Sequence, residues 1–382
     1  MSNWSLDPIR DWLLAKGRLA DTMDDMTKGL AEQMIAVGAP VWRVRLAIRT
    51  LHPLITAMSA AWERDDGLIP SPDAAHGLES RPAYIASPLA VIAETGQPFR
   101  RRLDRALAPE DHIVLHELKE RGATDYYGLP LEFRNGAGGI VVFVTDHAGG
   151  FESDDLERLR HVAALITPVV EVFRLDHSAT AITDAYLGPR TAKRVLSGQI
   201  TRGHIETIQA AILVSDMRGW TALNAELAPD DIVCIANRYF EILGDAIASH
   251  DGEILKLMGD GLLAIFPGED MGQASDNALS AALTAQATAR ADPPLGVAFG
   301  IAMHVGDVLY GNVGSEARLD FTVLGPAVNL AARLEGLCAK YGQEILFSEP
   351  FAHALGTATR KLGSEPLKGL TAPQAVYSLL DG

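Results

Sequence analysis

Apolar residues recur at helical spacing through positions 21–37, and Gly38-Ala39-Pro40 ends the run. The period then changes to strict alternation. Trp42, Val44, Leu46 and Ile48 are interleaved with Arg43, Arg45 and Arg49, the pattern of a half-buried strand. His52-Pro53 interrupts it, and 54–62 reads as a second strand. Segments 126–133 and 140–144 predict two more strands around Asn135-Gly136, a dipeptide suited to a hairpin turn. Ser153 stands where a helix would be capped, with Leu156, Leu159, Ala163, Ile166 and Val170 on its apolar face. Residues 1–174 therefore read as an α+β domain with a mostly antiparallel sheet.

Residues 175–208 read as a helical linker broken at Gly188-Pro189. The remainder, 209–382, opens with a buried-type strand at 210–215. A helix at 230–249 follows, showing Ile232, Ile235, Tyr239, Ile242 and Ala246 at helical spacing. Strands at 252–257 and 262–266 meet at the tight turn Gly259-Asp260-Gly261, and a helix covers 274–291. Two strands, 297–304 and 308–313, precede a strand at 321–324 and a helix at 326–340. The first six elements follow the ferredoxin-like order β-α-β-β-α-β, which sets the first strand beside the hairpin in mid-sheet.

A length of 382 residues suits two domains, and a hydrophobic fraction of 48% is ample for two cores. Apolar stretches such as 139–144 are strand-sized, well short of the ~20 residues of a membrane helix. The start of the chain, with Trp4, Asp7, Pro8, Arg10 and Asp11, does not resemble a signal peptide. The sequon Asn3-Trp4-Ser5 therefore reads as coincidence. Cys234 and Cys338 are too few and too far apart for a disulfide framework or a zinc site; both are expected as reduced core thiols of a cytoplasmic protein. A net charge of −16 argues against nucleic acid or anionic membrane as partner, though a bound cation could still admit an anionic nucleotide. His112 and His116 are spaced as ligands on one helix, but no third ligand accompanies them.

Two sequence-distant carboxylates carry the first hint of chemistry. Asp216 ends the first strand of the C-terminal half and Asp260 sits in the hairpin turn, so the fold order brings both to one sheet edge. Oxygen ligands so placed suit a hard cation such as Mg²⁺. Singly, each is an ordinary turn residue. Asn329 and Arg333, four apart, project from one face of the helix that Gly325-Pro326 begins.

The segments S-D-M-R-G-W-T, L-K-L-M-G-D-G-L-L-A-I-F, H-V-G-D-V-L-Y-G-N-V-G and F-T-V-L-G-P-A-V-N-L-A-A-R-L-E occur in that order. Together they resemble the catalytic domain of the class III adenylate and guanylate cyclases. The N-terminal domain, by its order of elements alone, resembles a GAF sensor. The first resemblance implies that Asp216 and Asp260 bind two Mg²⁺ ions, which Mn²⁺ could replace, with Met217 lending its backbone carbonyl. It implies that Asn329 orients the ribose and Arg333 stabilises the reacting phosphate. It places Lys368, in Pro366-Leu367-Lys368-Gly369, on the terminal phosphates. It also implies a homodimer with shared sites, because one domain of a pair supplies the metal half and the other the ribose-phosphate half. Pro326 and Trp220 depart from the residues common at their positions, and neither carries a reacting group.

Base choice has a physical argument. Adenine offers an acceptor at N1 and a donor at N6, and guanine reverses both. Lys256 can only donate and Thr322 can accept, so the pair suits ATP. Thr322 in place of aspartate resembles a subgroup often responsive to bicarbonate. The expected function is an adenylate cyclase governed by an unidentified small-molecule or protein signal at its N-terminal domain. The rivals are a guanylate cyclase, which Lys256 disfavours, and an inactive nucleotide-binding homologue, which the intact Asp216, Asp260, Asn329 and Arg333 disfavour. Gly252-Glu253 is too faint a sign of a diguanylate cyclase, and no G-x-x-x-x-G-K-[ST] is present for a P-loop enzyme.

Overall fold

The alternating strand at the start of the chain forms as its pattern predicts. In the computed structural model, which describes residues 4–134, 136, 138–292, 296 and 298–380, it is β1 (Arg43–Arg49). Asn3, Asn135 and Val297, named above in a sequon, a turn and a strand, lie outside the described residues. The chain divides into two compact units, Met1–Ala185 and Tyr186–Gly382.

In the first unit, α1 (Asp7–Ala15) and α2 (Met23–Ala36) precede β1 and β2 (Ile55–Glu63). The short strands β3 (Gly67–Ile69) and β4 (Ala74–Ala75) lead to α3 (Pro88–Thr95), β5 (Phe99–Arg102) and α4 (Ile113–Glu120). The hairpin β6 (Asp125–Glu132) and β7 (Gly138–Thr145) and the helix α5 (Ser153–Leu187) follow. The sheet runs β3-β2-β1-β7-β6-β5, with every pairing antiparallel. One face, with Val44, Leu46, Ile48 and Phe143, buries against Leu13, Leu30, Leu159 and Ile166 from α1, α2 and α5. The other carries Tyr126, Ile140 and Val142 beside Ile92 of α3 and Leu115 of α4.

The second unit starts with α6 (Pro189–Leu196), β8 (Ile205–Met217), α7 (Trp220–Glu226) and α8 (Pro229–Ser249). The hairpin β9 (Glu253–Met258) and β10 (Gly261–Pro267), α9 (Met271–Arg290) and β11 (Phe299–Gly314) follow. Then come β12 (Leu319–Leu324), α10 (Pro326–Glu335) and α11 (Cys338–Tyr341). The last elements are β13 (Ile345–Ser348), α12 (Glu349–Ala354), β14 (Thr359–Glu365) and β15 (Gln374–Leu379). The sheet order β14-β15-β13-β11-β8-β10-β9 puts β8 between the hairpin and β11, as the ferredoxin-like order requires, with β12 paired to β11. Helices α8 and α9 cover one face through Tyr239, Leu243, Ala278 and Ala282. On the other, Ala327 and Ala331 of α10 pack on Ile212 and Ile265.

Several expectations need correction. The helix capped at Ser153 is continuous from the first domain into the linker, with Pro168 inside it, and stops after Leu187 at the break expected at Gly188-Pro189, where Gly188 (φ 80°) departs from helical geometry. The strands expected at 297–304 and 308–313 are one strand, because β8 pairs with β11 without interruption from Met217 to Ile205. The helix expected to reach Lys340 is two pieces, separated at Gly336-Leu337. Cys338 is buried, but Cys234 is exposed, on the solvent side of α8. His112 is the cap of α4, its Nδ1 accepting from the Val114 amide, so the spaced pair is not two helix-face ligands.

Candidate active site

Backbone pairing joins the two carboxylates. Gly261 lies opposite Asp216 in the β8–β10 ladder, and the Met217 amide donates to the Asp260 carbonyl at 3.0 Å. The approach is too close for a side chain on Gly261. A Cβ there would lie 2.7 Å from the Ser215 carbonyl oxygen and 2.9 Å from Asp216 Oδ1. The end of β8 is held from below, where Tyr239 Oη donates to Ser215 Oγ and Ser215 Oγ to the Gly300 carbonyl, both at 2.9 Å.

Asp216 is half-buried, and its carboxyl pKa is raised first by that burial and then by the charge of Asp260. No cationic side chain among the described residues offsets that repulsion at Asp216. Two carboxylates brought to one sheet edge fit a hard divalent cation, which takes one or two carboxylates and completes its shell with phosphate oxygens and water. No cluster of three or more His, Cys, Asp or Glu that could hold a metal occurs among the described residues.

A third carboxylate stands nearby that sequence reasoning missed. Gly300 is the β11 partner of Asp216, and a Cβ on Gly300 would lie 2.6 Å from Glu335 Oε1. Burial, then Asp216, push the Glu335 carboxyl up to about 7, with Asp260 adding to the effect and Arg218 opposing it. Glu335 directly follows the Asn329/Arg333 motif, but only the packing of α10 on β11 reveals its neighbours.

The remaining residues form two further groups. Gly325 (φ 144°) and Pro326 start α10, whose Leu330 and Leu334 share a small core with Leu367 and Val376. That core brings the loop holding Lys368 to the helix: a Cβ on Gly369 would lie 3.6 Å from an Arg333 guanidinium nitrogen. Asn329 and Lys368 are exposed and Arg333 is half-buried. Arg333 is not among the charges that act on Asp216 or Glu335. Separately, Lys256 Nζ on β9 donates to Asp320 Oδ2 on β12 at 2.7 Å. Asp320 was also missed. It lies two residues before Thr322, hence on the same face of β12, and Thr322 itself is buried.

Residues 204–380 match the family described as the adenylate and guanylate cyclase catalytic domain. The adenylate cyclase of Anabaena cylindrica is 36% identical over 159 residues, which are 38% of this chain and 31% of that protein. The terminal-differentiation-specific adenylate cyclase of Dictyostelium discoideum is 29% identical over 238 residues, 59% of this chain and 10% of that protein. Among solved structures, the guanylyl cyclase Cya2 is 31% identical with a TM-score of 0.39, covering 45% of this chain and 92% of that one. The chain thus spans less than a third of the length of these two curated relatives. No described helix is long and apolar enough to cross a membrane. The C-terminal unit, over residues 204–380, belongs to the adenylate and guanylate cyclase catalytic domain family.

Proposed function

We propose that this protein is an adenylate cyclase, converting ATP to 3′,5′-cyclic AMP and pyrophosphate in sites shared by two copies of the C-terminal unit. The observation that carries the reading is that the β8–β10 ladder brings Asp216 and Asp260 close enough for the charge of one to act on the other, in a domain of this family. Asp216 and Asp260, with the Met217 carbonyl, would hold Mg²⁺ or Mn²⁺, two ions per site. When bound, the metal supplies acidification of the ribose 3′-hydroxyl and charge neutralisation on the triphosphate.

The chain's own residues do the rest. Lys256 donates to adenine N1 and Thr322 accepts from N6, a pairing guanine cannot satisfy without leaving buried polar groups unpaired. Asn329 orients the ribose so that the 3′-oxygen lies in line with the α-phosphorus. The 3′-O–Pα bond forms, the bond from Pα to the bridging oxygen breaks with its electron pair leaving on pyrophosphate, and the hydroxyl proton passes to water. Arg333 neutralises charge growing on the transferring group, and Lys368 holds the departing pyrophosphate. That Arg333 sits with Lys368 rather than acting on Asp216 supports division of the site between two chains in a closed homodimer.

The N-terminal unit, an antiparallel sheet with helices on both faces, is read as a GAF-like sensor from its order of elements alone. A reducing, cytoplasmic setting agrees with two free cysteines, one of them exposed. The test is to incubate purified full-length chain with ATP or GTP and Mg²⁺ or Mn²⁺, then identify the product by mass. Cyclic AMP is expected. Preferential formation of cyclic GMP would overturn the base assignment, and no cyclic nucleotide from either substrate would overturn the activity.

A further inference from the structure

The N-terminal unit holds a cavity of about 1200 Å³, bounded by the sheet face that carries Arg45 and by the residues around α3. Alternation along β1 explains its polarity. Val44, Leu46 and Ile48 go into the core with α1, α2 and α5, so Arg43, Arg45 and Ala47 face the other way. The walls are apolar, with Ile85, Leu89, Ile92, Leu118, Ile140 and Val142 lining them.

Arg45 is the unexplained residue. Arg43 beside it is tied to Glu63 at 2.7 Å, and Arg49 to Glu79 at 3.1 Å. The cross-strand neighbours of Arg45 are Ala61 and Val142, neither of them acidic. Among the described residues its guanidinium reaches only Ser59 Oγ, at 3.3 Å, and its Nε is buried with no hydrogen-bond partner. Burial, and then Arg43, depress its pKa. Tyr126, which also lines the cavity, is held neutral by burial and keeps its phenol as a donor. The carboxylates on the lining, Asp73, Glu79, Glu94 and Glu132, are exposed at its margin.

Arg45 is half-buried, and a guanidinium partly withdrawn from water with no acidic partner carries a desolvation cost that a bound anion would relieve. The cavity is as large as those that enclose whole small ligands, roughly 300–1,000 Å³. We infer that it binds a small organic oxyanion, a carboxylate or phosphate monoester with an apolar body, with Arg45 as its anchor and Tyr126 and Ser59 as hydrogen-bonding partners. A planar fork of donors suits either oxyanion, and the apolar walls take the body. The inference stands on the cavity alone and is independent of the activity of the C-terminal unit.

Calorimetric titration of the full chain with 1-naphthoate, 1-naphthyl phosphate and the neutral 1-naphthalenemethanol tests it. At least one anion should bind with one site per chain, at least about tenfold tighter than the alcohol, as a charge-assisted bidentate contact implies. The preferred anion identifies carboxylate or phosphate as the natural group. Arg45→Met should abolish that preference, and Arg45→Lys should keep part of it. Without ligand, Arg45→Met should melt at or above the wild-type temperature, since it removes a half-buried charge that has no acidic partner. Three results would overturn the inference: no saturable binding of either anion up to about 1 mM, a Kd chosen as the weak end of specific recognition; equal affinity for the alcohol; or anion binding unchanged in Arg45→Met.

Discussion

Lys256 Nζ donates to Asp320 Oδ2 at 2.7 Å, so the lysine assigned to the base is already aimed by a carboxylate from the neighbouring strand. Both side chains are about half exposed, and such a pair contributes at most about 1 kcal/mol to stability. Its effect would be on orientation. Asp320→Asn should lower kcat/KM for ATP severalfold with little change in melting temperature. Lys256→Glu should do more, because the new carboxylate would face Asp320 and could no longer donate to adenine N1. The ATP/GTP ratio of kcat/KM should fall at least about tenfold, the scale of one lost hydrogen-bonded contact to a base edge. An unchanged ratio would show that Lys256 does not read the base.

Asp216→Ala and Asp260→Ala should each reduce cyclisation by at least about a hundredfold, as loss of electrostatic machinery does elsewhere. Neither should unfold the protein. Because burial and mutual repulsion raise the Asp216 carboxyl pKa, relieving them should leave the metal-free melting temperature unchanged or slightly higher. A variant with near-normal turnover in Mg²⁺ would remove the metal assignment.

A shared site makes a mixing experiment decisive. Asp260→Ala protein and Arg333→Ala protein should each be inactive, yet active together. In a mixed dimer one site inherits both lesions, and the other draws an intact Asp260 and an intact Arg333 from opposite chains. Random exchange makes half of the dimers mixed, each with one working site, so roughly a quarter of wild-type activity should return. Verified mixed dimers without activity would place each site within a single chain.

His304 supplies a pH dependence away from the site. Buried on β11 with Nδ1 2.7 Å from Ser348 Oγ, it has its pKa lowered by burial to about 4. Between that value and the ordinary histidine range the unfolded chain binds more protons than the folded one, so stability rises with pH there and is lost as pH falls. The loss by about pH 4 is on the order of 3 kcal/mol. Glu335, with its carboxyl raised to about 7, acts in the opposite sense over the same range, so the His304 slope is read as the difference in denaturant midpoint between wild type and His304→Gln, which should move against wild type as pH falls from 7 to 4.

The sequence made legible what is local or carried by a motif: the alternation of β1, the hairpin around Asp260, and the start of α10 at Pro326. It hid what depends on partners. Gly306-Asp307 looked like a break between two strands, but β8 bonds straight through it and supplies the ladder that local propensity does not. Lys256 and Asp320 are 64 residues apart, and nothing in either segment announces the other. Glu335 acquires its neighbours only because Gly300 leaves room for it beside Asp216. Pro168 does not end α5, because packing of Val162, Ile166 and Val170 on the sheet carries the helix through.

The uninterrupted pairing of β8 with β11, from Met217 opposite Phe299 to Ile205 opposite Gly311, also bears on how this unit can vary. Side chains alternate along both strands, so inserting or deleting one residue within the paired stretch would turn Asp216 to the opposite face, or take Leu213 and Ala211 out of the core they share with α8 and α9. Point substitutions there cost a contact, but a change of length costs the whole reading frame of the sheet. Tolerance to length changes is therefore confined to the connections, and the ladder acts as a ruler that keeps the chemistry at one edge while the loops around it diverge.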